Sequence, residues 1–294
     1  MLSLTWKKIM LGIHIFLIST WIGSLAAILV LYLSDLGIAV TDKIIFILFD
    51  SIIVNISIAV AISGLIFSTF TQWGFAKFWW IIIKWILITT LAVLITFFAA
   101  PAINGAAAIA DVFGISALNN TDYLSFKQSA LIYTSLQLLV LTFIVFLSAI
   151  KPWGKRNIKR VYNRKLIVVS VILGGSLLFA SSLMQYAQLT YYRNLPIETI
   201  DNGQLADGNY TGEASYGYDY KVKVVIKNHS IEDIEILQNR DSFYARLAEG
   251  IRYKILQQQS NDVETVTGAT TTSKVLLQAV EKALIKDKEQ DSRN

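Results

Sequence analysis

Apolar and polar positions divide this chain into two unlike stretches. Up to about residue 192 the apolar residues run together. From 199 onward they alternate with polar residues or recur every three or four positions. Five runs, near 9–33, 44–71, 79–100, 128–150 and 166–190, are long enough to cross a bilayer, which takes roughly 20 apolar residues per helix. In the polar stretch, Tyr220 to Ile226 partly alternates and Ile231 to Leu237 reads as another strand. Asn228-His229-Ser230 between them is turn chemistry. Residues 242–259 switch to helical spacing through Leu247, Ile251 and Ile255. Residues 273–286 do the same through Leu276, Ala279, Val280, Ala283 and Leu284, and the tail from Lys286 is charged. The pattern predicts an α-helical membrane domain of about five helices over 1–192. A small α+β domain follows over 199–290, an antiparallel meander covered on one face by two helices.

Composition sharpens this division. The chain is 54% hydrophobic with a mean hydropathy of +0.51, which points to a membrane class. It has no cysteine and only two histidines, His14 and His229. Disulfides, cysteine-ligated iron–sulfur clusters, c-type haem attachment and a lipoprotein anchor are therefore excluded. A bis-histidine haem inside the membrane domain and a multi-histidine metal site are excluded as well. Any redox role must rest on an organic cofactor, and no metal site is expected.

The net charge of +5 is placed unevenly. Lys151 to Lys165 holds seven Lys or Arg and no acid. Lys7 and Lys8 precede the first run and Lys77 lies in the second connection, whereas 34–43 and 101–127 are poor in Lys and Arg. With five spans the basic segments share one side, which the positive-inside rule makes cytoplasmic. The N-terminus is then cytoplasmic and residues 199–294 extracytoplasmic, in a multi-pass protein of the cell membrane. A basic loop beside apolar runs marks topology rather than nucleic-acid binding.

Connection 101–127 is long, and Pro101, Gly105 and Gly114 read as breakers, with a short helix expected over Ala106 to Ala110. It is either a surface connector or a docking platform for the polar domain. His14, Asp50 and Lys84 are the ionisable residues inside the apolar runs, where such groups are costly. His14 is a candidate quinone contact. The alternatives are a histidine bonded to a neighbouring helix or a haem ligand shared across a homodimer.

Near the C-terminus stands Thr267-Gly268-Ala269-Thr270, followed by Thr271-Thr272-Ser273-Lys274. Upstream, Asp207-Gly208-Asn209-Tyr210-Thr211-Gly212 opens the polar domain. This order resembles the FMN-binding domains of sodium-pumping quinone reductases and Rnf complexes, over about residues 205–286. The resemblance implies FMN joined covalently to Thr270 by a phosphoester. Thr267, Gly268, Ala269, Thr271 and Ser273 would line the attachment site. A phosphate there would meet the free N–H groups and dipole of a helix start. The alternative is an ordinary Thr/Ser-rich helix cap. Family members usually carry Asp six residues before the modified Thr, and here Glu264 takes that place as the flavinylation signal. The attaching enzyme implied is an FAD-dependent flavin transferase using Mg²⁺. Tyr210, Tyr216, Tyr218 and Tyr220 could stack on a flavin ring or fill the core.

The resulting expectation is a membrane-anchored flavoprotein electron carrier, the electron-transfer component of an oxidoreductase. It would take electrons from a membrane quinol or a partner dehydrogenase and pass them through FMN to an extracytoplasmic acceptor. This resembles the flavin-based extracytosolic electron-transfer systems of bacteria. Its partners would be the lipid bilayer, the flavin transferase, the electron donor and the acceptor, with no nucleic acid. No catalytic acid, nucleophile or metal ligand set is visible. The alternatives are a flavin-based membrane redox sensor or regulator, and a transporter subunit carrying a flavin module.

Overall fold

The computed structural model describes residues 3–34, 36–71, 74, 75, 77–155, 184, 187, 189–200 and 205–291. Among them, four helices are long and apolar enough to cross a membrane: α1 (Leu4–Tyr32), α2 (Ile38–Phe70), α3 (Trp79–Asn119) and α4 (Thr121–Ile150). The expected fifth run, near 166–190, falls mostly outside the described residues, as do Arg156, Lys159, Arg160, Arg164 and Lys165. Chain contacts divide the protein into two compact units. One is Met1–Ala106 with Asn120–Leu177, the other Ala107–Asn119 with Leu178–Asn294.

In the first unit, α1 and α4 start on short polar side chains. Ser3 Oγ accepts the Trp6 N–H, and Asn120 Oδ1 accepts the Asp122 and Tyr123 N–H groups, satisfying donors the helix itself cannot. The helices meet along residues spaced three or four apart. Trp21, Leu25 and Ile28 of α1 join Ile45, Phe49 and Ile53 of α2, Leu91, Ile95 and Ala99 of α3, and Leu141 and Ile144 of α4. Their outward apolar residues stay exposed: Phe97 is 68% and Leu139 67% accessible. Two wide π-helical turns interrupt the ladder, Phe49–Ile53 in α2 and Ile95–Ala99 in α3.

The second of these turns corrects an expectation. Pro101 and Gly105 do not end the third helix, which runs on in α-helical form to Phe113 and finishes in a 3-10 turn over Gly114–Asn119. Inside a regular helix a proline ring clashes with the carbonyl four residues back. For Pro101 that carbonyl belongs to Phe97, within the wide turn, where the regular ladder is already broken.

The second unit holds β1 (Gly208–Ser215), β2 (Asp219–Lys227) and β3 (Ser230–Gln238), paired antiparallel in the order β1-β2-β3. This is the expected meander. Asn228 and His229 both take positive φ, 51° and 57°, in the tight turn between β2 and β3. Every second residue of β2, namely Tyr220, Val222, Val224 and Ile226, is buried. The helical stretch expected over 242–259 is two short helices, α5 (Phe243–Ala248) and α6 (Ile251–Gln258), parted at Gly250. Glycine is a poor helix former, and its N–H turns back to the Leu247 carbonyl. The last helix, α7 (Thr270–Asp291), lies across β1 and β2, and α6 packs on β3. A Cβ on Gly212 of β1 would fall 2.0 Å from the Ala279 carbonyl oxygen. The last glycine of the Asp207–Gly212 motif therefore permits α7 to lie directly on the strand.

Candidate functional site

The loop from Asn261 to Ala269 delivers the chain to the start of α7. Asn261 is fully buried and ties the loop to the segment around Glu198 and Ile200. Its Oδ1 accepts the Ile200 N–H at 3.0 Å, and its Nδ2 donates to the Glu198 carbonyl at 2.6 Å. Val266 is buried, and its N–H donates to Ser273 Oγ at 3.2 Å. The Ala269 N–H then closes a turn onto the Val266 carbonyl at 3.0 Å. Gly268 sits in this turn at φ 80°, a conformation that favours glycine over any residue with a Cβ.

Helix α7 opens with the Ser273 N–H donating to the Ala269 carbonyl at 3.0 Å. Ala269 thus holds the capping position without a side-chain oxygen. The first N–H groups of α7 receive no acceptor from that side chain, which leaves the positive end of the helix suited to an anion. Thr270, the first helical residue, is half-buried, as is Thr271. Thr267, Ala269 and Thr272 are buried, and Ser273 is fully so. Ser273, expected among the capping residues, instead stands one turn inside the helix and braces Val266. Glu264 is exposed, six residues before Thr270.

Several residues at this site carried no sequence signal. Arg193 Nε donates to Thr271 Oγ1 at 3.4 Å, placing a guanidinium beside the start of α7. Tyr192, one residue before it, packs on Tyr216 with ring centroids 4.0 Å apart and meets Tyr191 edge-on at 5.2 Å. Tyr191 is 64% exposed. Of the four tyrosines expected to stack or pack, Tyr220 is buried in the core and Tyr210 donates its hydroxyl to the Ala206 carbonyl at 2.6 Å. Asp111 and Lys254 also reach the loop. Lys254 Nζ lies 2.9 Å from Asp111 Oδ2, and the Thr267 N–H and Oγ–H donate to that same oxygen at 2.8 and 2.9 Å.

The remaining sequence candidates lie elsewhere. His229 holds the β2–β3 turn, its Nδ1 3.0 Å from the Leu205 carbonyl. His14 Nδ1 lies 2.7 Å from Ser63 Oγ, whose own hydroxyl donates to the Val60 carbonyl at 3.0 Å. Within the same unit, a polar cluster that sequence reasoning passed over joins Asp42, Tyr123 and Lys127. The Tyr123 hydroxyl donates to Asp42 Oδ2 at 2.8 Å, Lys127 Nζ donates to the Tyr123 oxygen at 2.7 Å, and Lys127 lies 3.7 Å from Asp42 Oδ1.

Residues 216–285 match the family model described as FMN-binding domain. The matched stretch contains β2, β3, α5, α6, most of α7 and Thr267 to Thr270, so the second unit carries an FMN-binding domain. A search of curated proteins found no match to the chain. An FMN-binding domain in a chain with four apolar, span-length helices among its described residues supports a flavin-containing electron-transfer module in a membrane protein.

Proposed function

We propose that this protein is a membrane-anchored electron carrier whose FMN is joined covalently to Thr270. The observation that carries this reading is the position of Thr270, half-buried at the start of α7 directly after Ala269, within the matched domain. The residues present fit the group. The helix start and the Arg193 guanidinium would hold a phosphodiester. Thr267, Gly268, Ala269 and Thr271 shape its surroundings, Ser273 braces the loop from below, and exposed Glu264 is the acid offered to the attaching enzyme.

Attachment would use FAD and a Mg²⁺-dependent flavin transferase. The Thr270 oxygen bonds to the flavin-bearing phosphorus as the pyrophosphate bond breaks. AMP leaves, and the hydroxyl proton passes to water. FMN, once bound, supplies reversible electron transfer, while the chain supplies anchorage, orientation and charge. Electrons would enter from a membrane quinol or a partner dehydrogenase, with His14 as a candidate quinone contact. They would leave to an extracytoplasmic acceptor, the basic segments keeping the N-terminus cytoplasmic.

Intact mass is the direct test. Protein produced with a flavin transferase should gain the mass of one FMN less water, and Thr270→Ala should gain nothing. A labelled Thr270→Ala protein would overturn the attachment site. Flavin that stays oxidised when quinol and partners are supplied to membrane vesicles would overturn the carrier role.

A further inference from the structure

We propose that Asp111 is a positioning residue for flavin attachment, acting through Thr267; this rests on Thr270 being the attachment site. Asp111 lies outside the matched domain, 156 positions before Thr267, in the segment Ala107–Asn119 that groups with the second unit. A single carboxylate oxygen, Oδ2, takes three donors: the Thr267 N–H, the Thr267 hydroxyl and the Lys254 ammonium. Both partners of the ion pair are largely buried, Lys254 at 9% and Asp111 at 14% side-chain exposure. Hydrogen bonds to an ionised acceptor are stronger than neutral ones, and water competes little here.

The consequence falls on the turn that precedes Thr270. Thr267 is its second residue, and both its donors are committed to Asp111. On the other side the Val266 N–H is committed to Ser273 Oγ, and Lys254 Nζ also reaches the Thr265 carbonyl at 3.4 Å. Thr265, Val266 and Thr267 are therefore pinned in succession, leaving Gly268 and Ala269 to set the direction of Thr270. Lys254 has a second role. It balances the Asp111 charge, which would otherwise oppose a phosphate arriving three residues along from Thr267. The attachment loop is thus organised by a residue that the domain itself does not contain.

The experiment uses the full-length protein in detergent with purified flavin transferase, FAD and Mg²⁺. Initial attachment rates at limiting transferase are read by flavin fluorescence and intact mass. Asp111→Ala should lower the rate about tenfold or more yet reach full labelling when transferase is raised. Asp111→Asn, which keeps one acceptor oxygen for Thr267, should fall between Ala and wild type. Lys254→Gln should slow attachment as well. Hydrogen exchange at 265–268 should quicken in Asp111→Ala while β2 stays protected, separating a loosened loop from an unfolded domain. Wild-type rates in both Asp111 variants, with Thr270→Ala unlabelled, would overturn the proposal and leave the attachment site standing. Labelled Thr270→Ala would overturn the attachment site itself.

Discussion

In the first unit apolar side chains face both ways: Trp21, Leu25 and Phe49 are buried, while Phe97, Leu139 and Phe146 stand exposed along the same helices. In the second unit the same residue types turn inward, as the buried alternation of β2 shows. The two units are built for different solvents. In lipid, burial of apolar surface gives helices little reason to associate, so close packing and a few polar contacts set their arrangement. In water, burial supplies the stability, and polar contacts are free to shape a particular loop. The polar contacts follow this division. In the bundle, Asp42, Tyr123 and Lys127 join α2 to α4. In the second unit, Asp111, Lys254, Thr267 and Ser273 converge on the loop before α7 and its first turn.

The comparison is broken most sharply at Gly212. Its absent Cβ lets α7 rest on β1, and a methyl group there would meet backbone at 2.0 and 2.4 Å. Gly212→Ala should destabilise the small domain by about 3 kcal/mol or more, read as an early, separate unfolding step or by protease sensitivity, with the bundle unchanged. A wild-type profile would show that the helix–strand approach is not limiting. Asp42→Ala tests the bundle. Removing one partner of a buried ion pair costs several kcal/mol, but Lys127 retains 28% exposure, so about 2 kcal/mol is expected. It should appear as a lower melting temperature in detergent, and Asp42→Asn should lose less. The smallest effect belongs to the exposed cross-strand pair Lys223–Glu235, 3.0 Å apart. A double-mutant cycle there should give about 0.5 kcal/mol or less, shrinking with salt.

Much of the architecture was legible in the residue pattern. The apolar runs located the four described spans, and alternation located β2 and β3. The Asn228-His229 turn lay where its residue types placed it. Local breakers misled at Pro101 and Gly105 because a wide turn at Ile95–Ala99 takes up the distortion before the proline arrives. The four-residue recurrence across Leu247, Ile251 and Ile255 hid a break at Gly250, since a periodic pattern counts positions and does not register a single glycine. Asp111 read as one acid in a connection and Arg193 as one base after a span. Neither belongs to a periodic pattern that could announce a partner.

By itself the sequence determined the division into an apolar helical part and a small α+β domain, the order of its strands and the helix that begins beside Thr270. These follow from local periodicity and turn chemistry, which act over a few residues. Only the tertiary structure decided which distant side chains meet. Asp111 reaches Thr267 across 156 positions, Asp42 reaches Tyr123 across 81, and Arg193 reaches Thr271 across 78. Such contacts depend on where whole helices and strands come to rest, and a single charge carries no record of that in its neighbours along the chain.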